Sequence, residues 1–497
     1  MPTRTIAPEA EVLTPGPTNQ RRWLILVIVA LAQLTIVLDA TIVNIALPSA
    51  QQDLGFSNDN RQWLITAYSL AFGSLLLLGG RIADLFGRKA TFITGLVGFA
   101  AASALGGAAA NFEVLVTARA LQGVFGALLA PAALSLLTTT FTDAKERARA
   151  FGVFGAVAGA GGGVGLLLGG VLTEHLDWRW TMYVNLGFAA VAVTGAALLL
   201  GKQVPAVSRP KLDIPGTVAV SAGLFAIVFG FANAETASWG DARTWGGLIA
   251  GALLLAVFVA IQNRATHPLL PMRVLTDRDR AASYIGVGVV GAGMFGVFLF
   301  LTYYMQQSLG YSPIQTGLAF LPMIGGVMAG SLAATSVLAP RIGPKRVVPA
   351  GMALAAGSLV WMTGLGMDSS YAAHIMPALF AFGTGAGLII GPAMSGGTAG
   401  VRSDDAGVAS AMVNTTQQIG GSVGTALLST LSASAATNYL DGKAASPAAI
   451  AQSALEGYST AYWWSAAIFA GGFVLTGLLY RTGVPRADLN AAPAVHM

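Results

Sequence analysis

Fourteen apolar stretches, each about the 20 residues needed to cross a bilayer core of roughly 30 Å, leave this chain few folds to choose from. They run over approximately 23–47, 62–79, 90–109, 114–140, 150–172 and 180–200, then 214–233 and 245–262, then 283–305, 315–338, 347–366, 372–395, 407–432 and 458–480. Hydrocarbon offers no partner to backbone N–H and C=O groups, so a stretch of this length spans as a helix. The expected class is an all-α membrane protein with 14 transmembrane helices. Only 10% of the residues are charged and 55% are hydrophobic, whereas a soluble domain carries about 25% charged residues.

Charge was not used to draw the stretches, so it tests them. With the N-terminus inside, 22 of the 27 Lys and Arg fall in cytoplasmic tails and loops. Arg61, Arg179, Arg243 and Lys443 fall outside, and Arg119 falls within a helix. This is the positive-inside bias, and it places both termini in the cytoplasm. The net charge of +5 then needs no nucleic acid as partner. The Gly- and Ala-rich, cysteine-free composition suits a bacterial inner (cytoplasmic) membrane. No cysteine and four scattered histidines, His175, His267, His374 and His496, argue against a disulfide framework, a thiolate site or a zinc or haem centre. Neither a G-x-x-x-x-G-K-[ST] phosphate cradle, an H-E-x-x-H pair nor a G-x-S-x-G elbow occurs, so an enzyme is not expected.

Within this frame the chain divides into a proline-rich tail over 1–22, expected to be disordered, a six-helix unit over 23–200, two inserted helices over 214–262, a second six-helix unit over 283–480 and a tail over 481–497. The two units are related by an internal repeat. RIADLFGRK (81–89) aligns with VLAPRIGPK (337–345), matching Gly87 to Gly343 and Lys89 to Lys345, and GGGVG (161–165) aligns with GGSVG (420–424). The nearly equal offsets, between helices of the same direction, imply a parallel duplication.

Asp39, in LDATIVNIALP on helix 1, is the acid placed well inside a span. Burying it costs on the order of 3 kcal/mol on insertion scales, and an intramembrane acid is by default functional. Arg119, in ARALQG on helix 4, stays charged at any cellular pH and needs water, carbonyls or a carboxylate. The loop GGRIADLFGRK (79–89) gathers Gly80, Asp84, Gly87, Arg88 and Lys89 between two spans. On helix 5, Gly155, Gly159 and Gly163 recur every four residues, and Gly165, Gly169 and Gly170 strip further side chains away. Such stripes let helices approach closely, as static packing or as a sliding interface.

Together, LDATIVNIALP, GGRIADLFGRK, RALQG, the glycine-rich helix 5 and WRWTMYVNL at its outer end resemble the fourteen-helix drug:proton antiporters of the major facilitator superfamily, over nearly the whole chain. The resemblance implies the major facilitator fold: two six-helix bundles plus two inserted helices, around a cavity open alternately to each side. It implies export of amphipathic compounds driven by proton entry, with the proton as coupling ion and no cofactor, from a monomer. By position, Asp39 and Arg119 carry proton coupling, Asp84 and Arg88 brace the closed cytoplasmic gate, and helix 5 carries the antiporter motif. Leu166 and Gly187 stand where the family pattern has proline. A proton-coupled importer of the same fold and, behind it, a non-transporting membrane receptor remain the alternatives. For hydrophobic or amphipathic substrates the expected contacts are Gln33 and Asn44 on helix 1, Tyr68 on helix 2, and Asn414 and Gln418 on helix 13. When the inner gate is closed, Arg88 is expected to bridge toward Asp404 or Asp405.

Overall fold

A computed structural model describes residues 19–57, 60, 61, 63–141, 144–201, 213–236, 239–266, 268–401, 406–443 and 446–482. Most of the two expected tails therefore falls outside the described residues. All fourteen apolar stretches sit on helices. The first six are α1 (Asn19–Leu54), α2 (Trp63–Phe86), α3 (Arg88–Gly107), α4 (Phe112–Thr140), α5 (Ala144–His175) and α6 (Trp180–Leu199). The inserted pair is α7 (Ile214–Thr236) and α8 (Ala242–Arg264). The rest are α9 (Arg278–Tyr303), α10 (Pro313–Ile342), α11 (Pro344–Met362), α12 (Tyr371–Thr398), α13 (Ala406–Leu440) and α14 (Pro447–Leu479). Ten of the helical segments among the described residues are long and apolar enough to cross a membrane by themselves. Large apolar side chains stand exposed around the periphery, among them Val27, Leu198, Leu253 and Leu478, as lipid contact requires.

Local chemistry sets the helix ends. Asn111 caps α4 by accepting from the Val114 N–H, Asp277 caps α9 through the Asp279 and Arg280 N–H groups, and Ser312 with Gln315 forms a capping box at α10. Each satisfies amides that the first turn leaves orphaned. α10 is segmented, with a break before Pro322 and a π turn over Ala334–Leu338 ahead of Pro340, because proline removes a donor and crowds the preceding turn.

The duplication holds in the packing. α1 lies on α5 and α6, α4 on α2 and α3, and α3 on α6; equivalently α9 lies on α13 and α14, α12 on α10 and α11, and α11 on α14. The aligned loops share one device. Gly87 (φ 93°) and Gly343 (φ 77°) each separate two helices by a single residue, at a positive φ that a side chain would strain. The aligned glycine clusters share another. Gly165 leaves no room for a Cβ against Leu38 and Thr41 of α1, and Gly424 none against Ala292 of α9.

α7 crosses the seam between the halves. Its Ser221 hydroxyl donates to the Ser74 carbonyl of α2 at 3.0 Å, and its Phe231 carbonyl accepts from Thr430 of α13 at 3.2 Å. The face holding the Gly87 and Gly343 loops is the basic face of the molecule.

Candidate functional site

α1, α4 and α6 meet around Asp39, which is wholly buried. Its Oδ2 lies 2.5 Å from Nη1 of Arg119, itself 2% exposed. Its Oδ1 accepts from Gln122 Nε2 at 2.8 Å and from Asn185 Nδ2 at 2.7 Å. Arg119 continues the network, donating through Nη1 to Gln122 Oε1 (2.7 Å) and through Nε to the Leu64 carbonyl (3.0 Å). Gln122 and Asn185 also reach the Ser103 hydroxyl of α3, at 2.8 and 3.3 Å. The Tyr68 ring closes one side, 4.5 Å from the guanidinium carbon.

A buried ion pair persists only when further hydrogen bonds satisfy both partners, and here they do. Arg119 and Gln122 are three residues apart, hence on one face of α4. The arrangement holds a carboxylate and a guanidinium out of water in a cradle of neutral amides. Through this one carboxylate the cradle ties α1 to α4 and α6.

The other side of α1 leads to the seam between the halves. Gly161 meets Leu34 and Val37, and Gly165 and Gly169 pack on Leu38, Thr41 and Ile42. The opposite face of α5 touches the second half: a Cβ on Gly163 would stand 3.2 Å from Ile324 and one on Gly170 2.8 Å from the Ile314 Cα. On the face away from the basic loops, Tyr303 donates to Gln51 Oε1 at 2.7 Å, Gln306 to the Ile45 carbonyl at 3.2 Å, and the Ile314 N–H to Glu174 Oε2 at 3.1 Å. Arg61 stacks 4.1 Å over the Tyr303 ring. The seam is closed at that end.

Residues 29–425 match the model of the Major Facilitator Superfamily. The chain belongs to the major facilitator superfamily. Within curated members it is 46% identical, over 99% of its length and 98% of the relative's, to the puromycin resistance protein pur8 of Streptomyces alboniger. It is 37% identical to the cephamycin export protein CmcT of Amycolatopsis lactamdurans, over 86% and 87% of the two chains. A bacterial homolog of the human lysosomal transporter Spinster, solved inward-facing and unoccupied, shares the fold with a TM-score of 0.67 at 15% identity, over 93% of this chain and 98% of that one.

In the structure the residues named from sequence separate into groups. Asp39 and Arg119 come together, and Tyr68, expected at substrate, belongs to their cluster. Asn44 is 2% exposed and its amide donates to Ala40 and Thr41 of its own helix. Gln33, Asn414 and Gln418 are half-buried, and the Gln418 Cβ lies across from Gly73 at the contact of α13 with α2. In the loop, Gly80 faces Pro131, while Lys89 donates to the Ala197 and Leu200 carbonyls at the end of α6, a cation on a helix C-terminus within the same half. Arg88 is half-buried at the start of α3. The side chain of Asp84, the surroundings of Gly155 and Gly159, and Asp404 and Asp405 lie outside the described residues. Sequence reasoning missed Gln122, Asn185 and Ser103. The RALQG spacing carried the signal for Gln122, whereas a single Asn or Ser in a span carries none.

Proposed function

We propose that the chain is a proton-coupled secondary exporter of hydrophobic or amphipathic small molecules. It works by alternating access, as a monomer, with the basic face and both termini in the cytoplasm. The observation that carries this reading is the fully buried Asp39–Arg119 pair in its amide cradle. The relatives named for puromycin resistance and cephamycin export support the direction and the substrate class, and puromycin is the first compound to test.

α1 is the lever in this mechanism. One side holds Asp39 against Arg119, and another carries the contacts with α5 and with Gln306 of the second half. A proton on Asp39 releases Arg119 from its anion, loosens α1 from α4 and shifts the balance at the closed outer seam. Deprotonation restores the tie. The proton is the coupling ion, and the chain's own residues bind and release it without a cofactor. Gln33, Asn414 and Gln418, half-buried on helices bordering the other half, remain the proposed substrate contacts.

Uptake of puromycin and of hydrophobic dyes into everted vesicles, with and without a protonophore, tests direction and energy source together. Protonophore-sensitive uptake that falls at least tenfold in Asp39→Asn is expected. Full uptake by Asp39→Asn, or uptake indifferent to the protonophore, removes the proposal.

A further inference from the structure

A proton bound for Asp39 has to pass a sealed wall. Arg119, Gln122 and Asn185 occupy both carboxylate oxygens, and the contacts of α1 with the second half, at Gln51 and at the Ile45 carbonyl, lie roughly a third of a turn round the helix from Asp39 in opposite directions at 100° per residue. On the outer side of Arg119 there is nevertheless a cavity. It is about 10 Å³, and Val43, Ala46, Ala50, Leu64, Leu115 and Met182 are among its lining. That is on the order of the space of one water, in a lining that is mostly apolar, with Arg119, Trp178 and Thr181 as its polar members.

The α1 contribution follows a single stripe. Asp39, Val43, Ala46, Ala50 and Asp53 are spaced by four, three, four and three residues, so one face of the helix joins the buried acid to Asp53 about 21 Å away at 1.5 Å per residue. The outer end is polar. Trp178, which also lines the cavity, donates its indole N–H to Asp53 Oδ2 at 3.0 Å, and Arg179 pairs with the same oxygen at 2.7 Å. The Asp53 side chain is 45% exposed. The charged and titratable groups facing the two ends are Arg119 and Tyr68 at Asp39, and Arg179 and Asp177 at Asp53.

Resting on the proton-coupled reading above, we propose that protons reach Asp39 from the outer face through the interior of the first six-helix half, along the α1 stripe from Asp53 past Ala50, Ala46 and Val43 to Arg119, and never share the substrate's path. A hydronium entering at Asp53 passes its proton inward through transient water. At the inner end one Asp39 oxygen gains the proton, a water is returned, Arg119 keeps its charge and no electrons move. The small side chains of Ala46 and Ala50 admit water while the aliphatic lining excludes hydrated ions and drug-sized molecules. Asp39 therefore exchanges protons with the outside while the seam at Gln51 and Tyr303 is shut.

The chain has no cysteine, which allows a direct test in full-length protein reconstituted into liposomes. Gln51→Cys and Tyr303→Cys, joined by a short bis-thiol linker, hold the outer seam closed. The carboxylic acid C=O band of Asp39, assigned by its loss in Asp39→Asn, is followed in infrared difference spectra on acidifying the outer side. The linked protein is expected to give the band with a half-time within twofold of the unlinked protein. Ala46→Phe, or Ala50→Phe nearer the mouth if the first does not fold, is expected to lengthen that half-time tenfold or more. Loss or tenfold slowing of the band on linking overturns the separate path, as does a plug without effect. An unlinked protein with no Asp39 band at any pH overturns the proton-coupled reading and the path with it.

Discussion

The same three-helix junction occurs twice in this molecule, and its contents differ. In the first half α1, α4 and α6 enclose Asp39, Arg119, Gln122 and Asn185. In the second half their counterparts α9, α12 and α14 enclose aromatic rings. Phe382 meets Phe469 edge-on with centroids 5.8 Å apart, and Phe300 meets Tyr458 and Tyr462 at 6.2 and 6.5 Å. Duplication has kept the backbone approach of the helices while the charge is confined to one copy. An apolar junction packs to high density and resists rearrangement. On the proposed proton coupling, the charged junction can rearrange with one proton, so that the first half serves as the sensor and the second as the stator.

Breaking one member of each junction gives the largest expected effects. Arg119→Leu leaves the Asp39 charge buried and unpaired, at a cost of roughly 3–5 kcal/mol, read as a fall in thermal unfolding temperature in detergent. Asp39→Asn combined with Arg119→Leu recovers most of that stability but not proton-driven export. Phe382→Ala empties a ring-sized space and costs a similar ~3–5 kcal/mol, yet at temperatures where it stays folded it keeps protonophore-sensitive transport. Loss of coupling in Phe382→Ala with an intact fold would end the division into sensor and stator.

The seam offers a second, smaller contrast, between glycines with and without a neighbour. A Cβ on Gly170 meets the Ile314 Cα at 2.8 Å, whereas one on Gly187 meets nothing within 4 Å. Gly170→Ala is expected to disfavour the closed outer seam by about 1–3 kcal/mol, the usual range for overpacking, and to lower the yield of cross-linking between Gln51→Cys and Tyr303→Cys about tenfold. Gly187→Ala, in the position where the family pattern has proline, is expected to leave that yield within twofold.

Much of this was legible in the residues, and the reasons for the rest are physical. Length and hydropathy located the fourteen long helices but not the short helix Met272–Thr276, and α1 runs from Asn19 to Leu54 where the apolar stretch ends near 47, because polar turns outside the hydrocarbon remain helical. Asp39 and Arg119 stood out because charge is costly in a span. Asn185 and Ser103 did not, since a neutral polar side chain there is equally suited to bonding any neighbouring helix. Tyr68 carries a hydroxyl that suited a substrate contact, and only the folded chain shows its ring turned to Arg119. For Lys89 the sequence gives the charge without its reach, and in the structure that reach includes the carbonyls of α6.

The smallest effect is expected from the acid at the other end of the exposure scale. Glu174 lies at the outer end of α5, beyond the apolar stretch, and accepts from the Ile314 N–H at the start of α10. The Ser312 side chain and then that N–H hold its carboxyl below the usual carboxylate range. Because the folded value is depressed, the contact is fully present above the ordinary carboxylate range and is lost only as pH falls through the lowered value. Between pH 8 and 5 any pH dependence of the cross-linking yield at Gln51→Cys and Tyr303→Cys is therefore expected to owe nothing to Glu174, and Glu174→Gln to change export less than twofold. Any response of the seam in that range is expected to persist in Glu174→Gln. A response that survives Asp39→Asn and disappears in Glu174→Gln would move the sensor from the interior of the first half to its rim, and the buried cradle would then be scaffold like its aromatic counterpart.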